Sequence, residues 1–235
     1  MRLDLHDKVS RILYFVGSNE PDEQRFVKSI LRPDWVVMDI GAHIGSYTLF
    51  MAHLLDPMRG RVYAIEPNPE SFATLKYHVE VNHLEHVVLS NVGISASSGE
   101  LDFFLAGSDN SSMSSLYRSG DGYRPIKVPV RDLEDFTHRT GLSRLDFIKM
   151  DVEGAEPDVL EGGRRILTTY RPQMLVEVNG PVLARRRQTP RDLALLLKGL
   201  NYQLFRTDRP GTEIQPDELG PRDFANIYCK PRELV

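Results

Sequence analysis

Apolar positions along the chain fall into two rhythms. Val9, Ile12, Leu13 and Val16 lie at helical spacing and Phe26, Val27, Ile30 and Leu31 repeat it, so residues 1–31 predict one or two amphipathic helices. Arg32-Pro33 ends the second, because the residue before a proline is pushed out of the helical region. From Trp35 onward, short apolar runs alternate with helical stretches. Runs such as Val36, Val37, Met38 and Ile40 lack the polar alternation of a half-exposed strand, as expected of parallel strands covered on both faces. They place strands at 35–40, 61–65 and 86–91, with helices at 45–55 and 69–82. That βαβαβ order predicts a parallel sheet with right-handed crossovers.

Between residues 92 and 131 the rhythm changes. GISASSGELDFFL reads as strand–turn–strand with Ser98-Gly99 at the turn, a small β-hairpin insertion. The polar stretch GSDNSSMSSLYRSGDGY follows, then IKVPV as a further short strand. Loop 107–124 reads either as a lid, with Ser111, Ser112 and Tyr117 offering hydroxyls to a ligand, or as a mobile connection. Leu133 to Thr140 predicts a short helix. Alternation then resumes with strand 145–151, helix 155–167, strand 173–178, helix 190–199 and strands 202–206 and 224–229. A Pro/Gly-rich loop without a helix joins the last two, so they are expected side by side with the final strand antiparallel.

A chain of 235 residues supports one α/β domain with a substantial core. The net charge of −4 gives no reason to expect nucleic-acid binding, which needs a basic surface. A single cysteine, Cys229, excludes an internal disulfide and reads as a small buried residue of the last strand. No stretch approaches the ~20 apolar residues that span a bilayer. Asp4, Asp7, Lys8 and Arg11 interrupt the N-terminus, so no signal peptide is expected and a cytoplasmic protein is the default. A homo-oligomer is compatible with the sequence.

Candidate chemistry begins at WVVMDIGAHIGSYT, residues 35–48. Asp39 and Gly41 fall where the first strand should end, and glycine permits a sharp turn and close backbone approach to a ligand. RVYAIEP then predicts a second strand ending in Glu66, from which a carboxylate reaches ribose hydroxyls. Together these predict an adenosine-containing cofactor. Dinucleotide folds want G-x-G-x-x-G, whereas here an acid is followed by Gly41, His43 and Gly45 at alternate positions. No lysine follows as a P-loop requires. The pattern resembles the first motif of class I S-adenosylmethionine methyltransferases. His43 reads as a residue tolerating unusual backbone geometry or as a cofactor contact.

The second informative stretch is LDFIKMDVEGAEPDVLEGG. Charged residues in a strand buried on both faces are costly unless paired or employed. Lys149, Asp151 and Glu153 nevertheless alternate with Ile148, Met150 and Val152, and some must emerge at the carboxyl end where open α/β sheets bind ligands. Glu153 and Glu156 also suit the N-terminus of the next helix. Strand 173–178 ends in Glu177-Val178-Asn179. Asp151, Glu177 and Asn179 are therefore an alternative set of hard oxygen ligands for Mg²⁺ or Ca²⁺, against a metal-free polar pocket. Arg185-Arg186-Arg187 follows at the same end, as a solvated loop or as a site for an anionic acceptor.

DIGAHIGSYT, IEPNPESFATLKYHVEVN, the loop near SSMSSLY, KVPVRDLEDF and LDFIKMDVEGAEPDVLEGG with RPQMLVEV resemble the FkbM family of S-adenosylmethionine-dependent methyltransferases over roughly residues 34–205. The resemblance implies a Rossmann-like class I methyltransferase fold: a mostly parallel seven-stranded sheet with an antiparallel last strand and helices on both faces. Residues 34–235 would form this domain, with 1–33 an N-terminal helical extension acting as cap or lid. It implies O-methylation of a small-molecule hydroxyl, on a sugar or natural-product intermediate. A non-catalytic binding or scaffold protein and an NAD-dependent oxidoreductase are the rival readings. Carried over by position, Asp39, Gly41, Ala42, His43 and Gly45 line the methionine portion of the cofactor. Glu66 holds the ribose, Pro67 and Asn68 lie beside the adenine, Asn91 serves the adenine side, and Asp151 sits near the sulfonium. An alcohol is a poor nucleophile, so a base is needed. Asp151 is the expected base, with Glu153 and Glu177 as alternatives and Lys149 orienting a carboxylate or the acceptor oxygen.

Overall fold

The computed structural model describes residues 1–18, 20–107, 113–117, 123–207 and 209–233. Two helices, α1 (Lys8–Val16) and α2 (Pro21–Ile30), precede the sheet. β1 (Val36–Ile40), α3 (Ser46–Leu54), β2 (Arg61–Ile65), α4 (Pro69–Val81) and β3 (Val87–Ser90) form its first half. The second half holds α5 (Leu133–Thr140), β7 (Phe147–Met150), α6 (Glu156–Gly162), α7 (Arg164–Tyr170), β8 (Gln173–Asn179), α8 (Gly180–Leu183), α9 (Pro190–Gly199), β9 (Tyr202–Arg206), β10 (Arg209–Glu213) and β11 (Phe224–Pro231). The strand order is β3-β2-β1-β7-β8-β11-β9-β10. The first five run parallel, and β11 is inserted antiparallel between β8 and β9.

The apolar runs are buried on both faces, and period-two alternation divides them. Val37, Val62, Phe147 and Leu175 face α2, α3 and α4, where Val27, Met51 and Leu75 are fully buried. Met38, Ile40, Ile148, Met150 and Val176 face the other layer, with Leu133, Val159, Leu167 and Leu197. Cys229 is buried in β11, as expected. Among the described residues, no helix is long and apolar enough to cross a membrane.

Three features differ from the sequence expectation. The seven expected strands are joined by an eighth, because Arg209–Glu213 of the Pro/Gly-rich loop pairs antiparallel with β9 at the sheet edge. The stretch 155–167 is two helices, α6 and α7, divided at Gly163, where glycine's poor helix propensity favours a break. The insertion is a three-stranded sheet of β4 (Gly93–Ile94), β5 (Gly99–Leu105) and β6 (Arg124–Arg131), in order β4-β6-β5. β4 therefore does not form a hairpin with β5. It runs parallel to β6, which has Val128 and Val130 to bury against Phe103 and Leu105.

Candidate active site

The carboxyl ends of β1, β2 and β7 open into a cleft of about 950 Å³. Asp39, Gly41, Ala42, His43, Glu66, Pro67, Lys149, Asp151 and Glu153 all line it. Its first wall is a loop fixed by main-chain bonds. The N–H groups of Gly41 and Ala42 both donate to the Ile65 carbonyl at 3.0 Å. Gly41 has φ 86°, and a Cβ there would lie 1.8 Å from the Asp151 carbonyl oxygen. The close approach that requires glycine is thus to the chain's own β7 loop. His43 adopts φ 49°, as the backbone reading of that residue predicts. Gly45, at φ 95°, starts α3 and does not line the cleft; a Cβ there would meet Leu75 of α4. His78 of α4 clamps this loop from behind. Its Nδ1 donates to the Ile44 carbonyl at 2.7 Å and its Nε2 accepts from the Arg2 N–H at 2.7 Å.

The two acids of this wall are buried and bonded. Asp39 accepts from Thr48 Oγ1 at 2.6 Å, and Glu66 accepts from the N–H groups of His43 and Asn68, each at 2.8 Å. Burial nevertheless pushes Asp39 up to about 6 and Glu66 up to about 7, with these donors offsetting only part of the desolvation. Asn68 and Asn91 act behind the wall rather than on it. Asn68 caps α4, accepting from the Glu70 N–H at 3.0 Å. Asn91 Nδ2 donates to the carbonyls of Glu66 and Pro67 at 2.8 and 3.1 Å. An amide spent on two carbonyls fixes the loop that presents Glu66; Asn91 lies outside the cleft lining where an adenine contact was expected.

The opposite wall is the loop after β7. Lys149 is 1% exposed, donates to Asp151 Oδ2 at 3.2 Å and lies 5.0 Å from the centre of the Tyr47 ring. Burial lowers the pKa of Lys149, but Asp151, Glu20, Glu177 and Asp39 together outweigh it and raise it above the ordinary lysine value. Glu153 sits at φ 51° with a buried Oε2 that has no hydrogen-bond partner, and burial with the adjoining Asp151 pushes it up to about 8. Glu156 is structural: it accepts from the N–H groups of Val152 and Gly154 and so closes the loop. Glu177 lies behind the cleft, buried, close to Asp151 and Glu20. Asn179 ends β8 and precedes α8, without a side-chain capping bond.

The insertion leans over this wall. Ser115 Oγ donates to the Glu153 carbonyl at 2.6 Å and Tyr117 donates to Asp158. Phe103, Ser114 and Leu116 line the cleft, whereas Ser111 and Ser112 lie outside the described residues. Arg186 is neither solvated nor open to an anion. It donates to the Gly154 carbonyl at 2.9 Å and Asp158 at 2.6 Å, and stacks over Tyr117 at 4.3 Å.

The family model for the methyltransferase FkbM domain matches residues 39–204, from the acid that ends β1 to the middle of β9. The chain belongs to the FkbM methyltransferase family. Among curated FkbM-like relatives, the 2-O-methyltransferase NoeI of Sinorhizobium fredii is 30% identical over 162 residues, covering 63% of this chain and 65% of the relative. The 31-O-demethyl-FK506 methyltransferase FkbM of Streptomyces tacrolimicus is 31% identical over 163 residues, covering 56% of this chain and 60% of the relative. The matches thus span less than two thirds of either relative's length. The crystal structure of methyltransferase FkbM from Methylobacillus flagellatus KT shares the fold, with a TM-score of 0.52 at 20% identity over 86% of this chain and 45% of that one. Helices α1 and α2 precede the matched FkbM domain, yet Val9 and Glu20 line the cleft. Sequence reasoning missed Glu20, and no local signal marked it: an acid at a helix start ordinarily reads as a cap.

Proposed function

We propose that the protein transfers a methyl group from S-adenosylmethionine to a hydroxyl of a small molecule, a sugar or natural-product intermediate. The observation that carries this reading is the acidity of the cleft. Asp39, Glu66, Asp151 and Glu153 line it against one buried cation, Lys149. Such a lining offers acceptors to an ammonium and to hydroxyls and, beyond Lys149, no ammonium or guanidinium to the pyrophosphate of a dinucleotide. O-methylation, the activity for which NoeI and the Streptomyces tacrolimicus relative are named, fits the presence of carboxylates with unpartnered oxygens.

When bound, S-adenosylmethionine supplies an electrophilic methyl group. Glu66, fixed by His43 and Asn68 N–H groups, accepts from the ribose hydroxyls, and the backbone of residues 41–43 bounds the methionine end. Lys149 fixes the Asp151 carboxylate, which would hold the acceptor hydroxyl beside the bound cofactor, where positioning would supply much of the acceleration. Glu153, whose Oε2 has no partner, takes the hydroxyl proton. The base assignment thus moves from Asp151, occupied by Lys149, to its neighbour. Residues 34–235 form the catalytic unit, and the extension 1–33 caps the acceptor end through Val9 and Glu20. Calorimetric titration with S-adenosylhomocysteine and with NAD, followed by a label-transfer assay over hydroxylated glycans and natural products, tests the reading. Heat with NAD and none with S-adenosylhomocysteine would overturn it; cofactor binding without transfer to any acceptor would favour a scaffold role.

A further inference from the structure

Asp151 also belongs to an acidic cluster whose other members, Glu20 and Glu177, have no proton to move in that reaction. Glu20, Asp151 and Glu177 each bring a carboxylate oxygen within 4.8 Å of the others. They come from three separate places: the start of α2, the loop after β7, and β8. Glu177 is 5% exposed, and its Oε2 is buried with no hydrogen-bond partner. A dry, unpaired carboxylate oxygen is costly, and turning it toward two further acids adds repulsion unless a cation lies between them. Lys149 meets only part of that demand, since its one hydrogen bond in this cluster is to Asp151. Lys149 pairs with Asp151 at 3.2 Å and with neither glutamate.

Glu20 carries independent marks of a ligand. It occupies the N-cap position of α2, yet its side chain makes no capping bond. Instead its Oε1 accepts from Asn226 Nδ2 at 3.2 Å, and the residue lines the cleft. Asn226 lies directly across from Glu177 in the β8–β11 register, and its Oδ1 is another buried oxygen without a donor.

We propose that Glu20, Asp151 and Glu177 bind a hard divalent cation, with Asn226 Oδ1 beside them. An all-oxygen donor set selects Ca²⁺ or Mg²⁺ over softer metals. Opposite ligands of Ca²⁺ are about 4.6–5.2 Å apart and those of Mg²⁺ about 4.1 Å. The three oxygens all lie within 4.8 Å of one another, no farther apart than ligands around one Ca²⁺ can stand. Under the proposed function the ion sits at the acceptor end and draws a hydroxyl toward Asp151; that role rests on the methyltransferase reading, and ion binding itself does not.

The test is calorimetric titration of the whole chain with CaCl₂ and with MgCl₂, beside a titration with S-adenosylhomocysteine. One ion per chain is expected, weakened at least tenfold in both Glu20→Gln and Glu177→Gln while S-adenosylhomocysteine binding is kept. No ion binding at millimolar concentrations, or unchanged binding in either variant, overturns the site. If a variant fails to fold, Tb³⁺ decides. Its luminescence should be excited largely through Tyr47 and fall severalfold in Tyr47→Phe, and an unchanged signal puts the ion elsewhere. Loss of S-adenosylhomocysteine binding by the native protein with ion binding retained counts against the proposed function and leaves the cation site standing.

Discussion

The two walls of the cleft solve the problem of buried acid in opposite ways. On the β1–β2 wall every carboxylate is met by the protein itself: Asp39 by Thr48, Glu66 by two main-chain N–H groups. On the β7–β8 side, Glu153 in the wall and Glu177 behind it each keep a buried oxygen with no partner. The first wall is finished before any ligand arrives, as expected where one invariant shape must be held. The second is left incomplete, and its unmatched charge is the chemical opening through which an acceptor, a proton or an ion is recruited.

The largest test of that contrast is Glu153→Gln. It should lower kcat about 10²–10⁴-fold, the range for a lost general base, while S-adenosylhomocysteine affinity stays within about twofold. Equal loss of both would erase the distinction between the walls. Gly41→Ala attacks the finished wall, since its Cβ must displace the Asp151 carbonyl from 1.8 Å. We expect about 2–4 kcal/mol of lost stability in denaturant unfolding, in the range for overpacking together with strain at positive φ.

A third prediction concerns pH. The folded pKa of Glu66, about 7, lies above its ordinary value of 4.5. Its contribution to stability is therefore complete below pH 4.5 and is lost as pH rises through 7. Thermal melts of the ligand-free protein should show a decline of up to about 3 kcal/mol across that window. The ionised carboxylate is the better acceptor for ribose hydroxyls, so S-adenosylhomocysteine affinity should rise over the same interval. Glu66→Gln should flatten both trends and weaken S-adenosylhomocysteine about tenfold, the effect of roughly one charged hydrogen bond. The smallest effect belongs to Arg187→Glu. That exposed residue follows the anchored Arg186, and acceptor KM should change by no more than about twofold.

Most of the finished wall could be read from the chain. The apolar runs of β1 and β2 end in acids, and the glycines between them announce a turn, because all of this is local in sequence. Even there the reason for Gly41 was hidden, since the carbonyl it avoids belongs to residue 151. The unfinished wall was half legible: Lys149, Asp151, Glu153 and Glu177 stood out as charge where a buried strand should have none. Glu20 did not, because only tertiary packing sets the start of α2 beside β8 and β11. The same physics hid the pairing of β4 with β6 and the edge strand β10, whose partners were chosen by burial far along the chain rather than by turn residues.

The clamp made by His78 has a practical side. One face of that imidazole holds the glycine loop at Ile44 and the other holds the main chain of Arg2. A preparation nicked by a protease after Arg2 or Leu3 would run almost unchanged on a gel. It would nevertheless have lost one of the two partners that orient His78 behind the loop that shapes the cleft, so an intact mass belongs beside every activity measured.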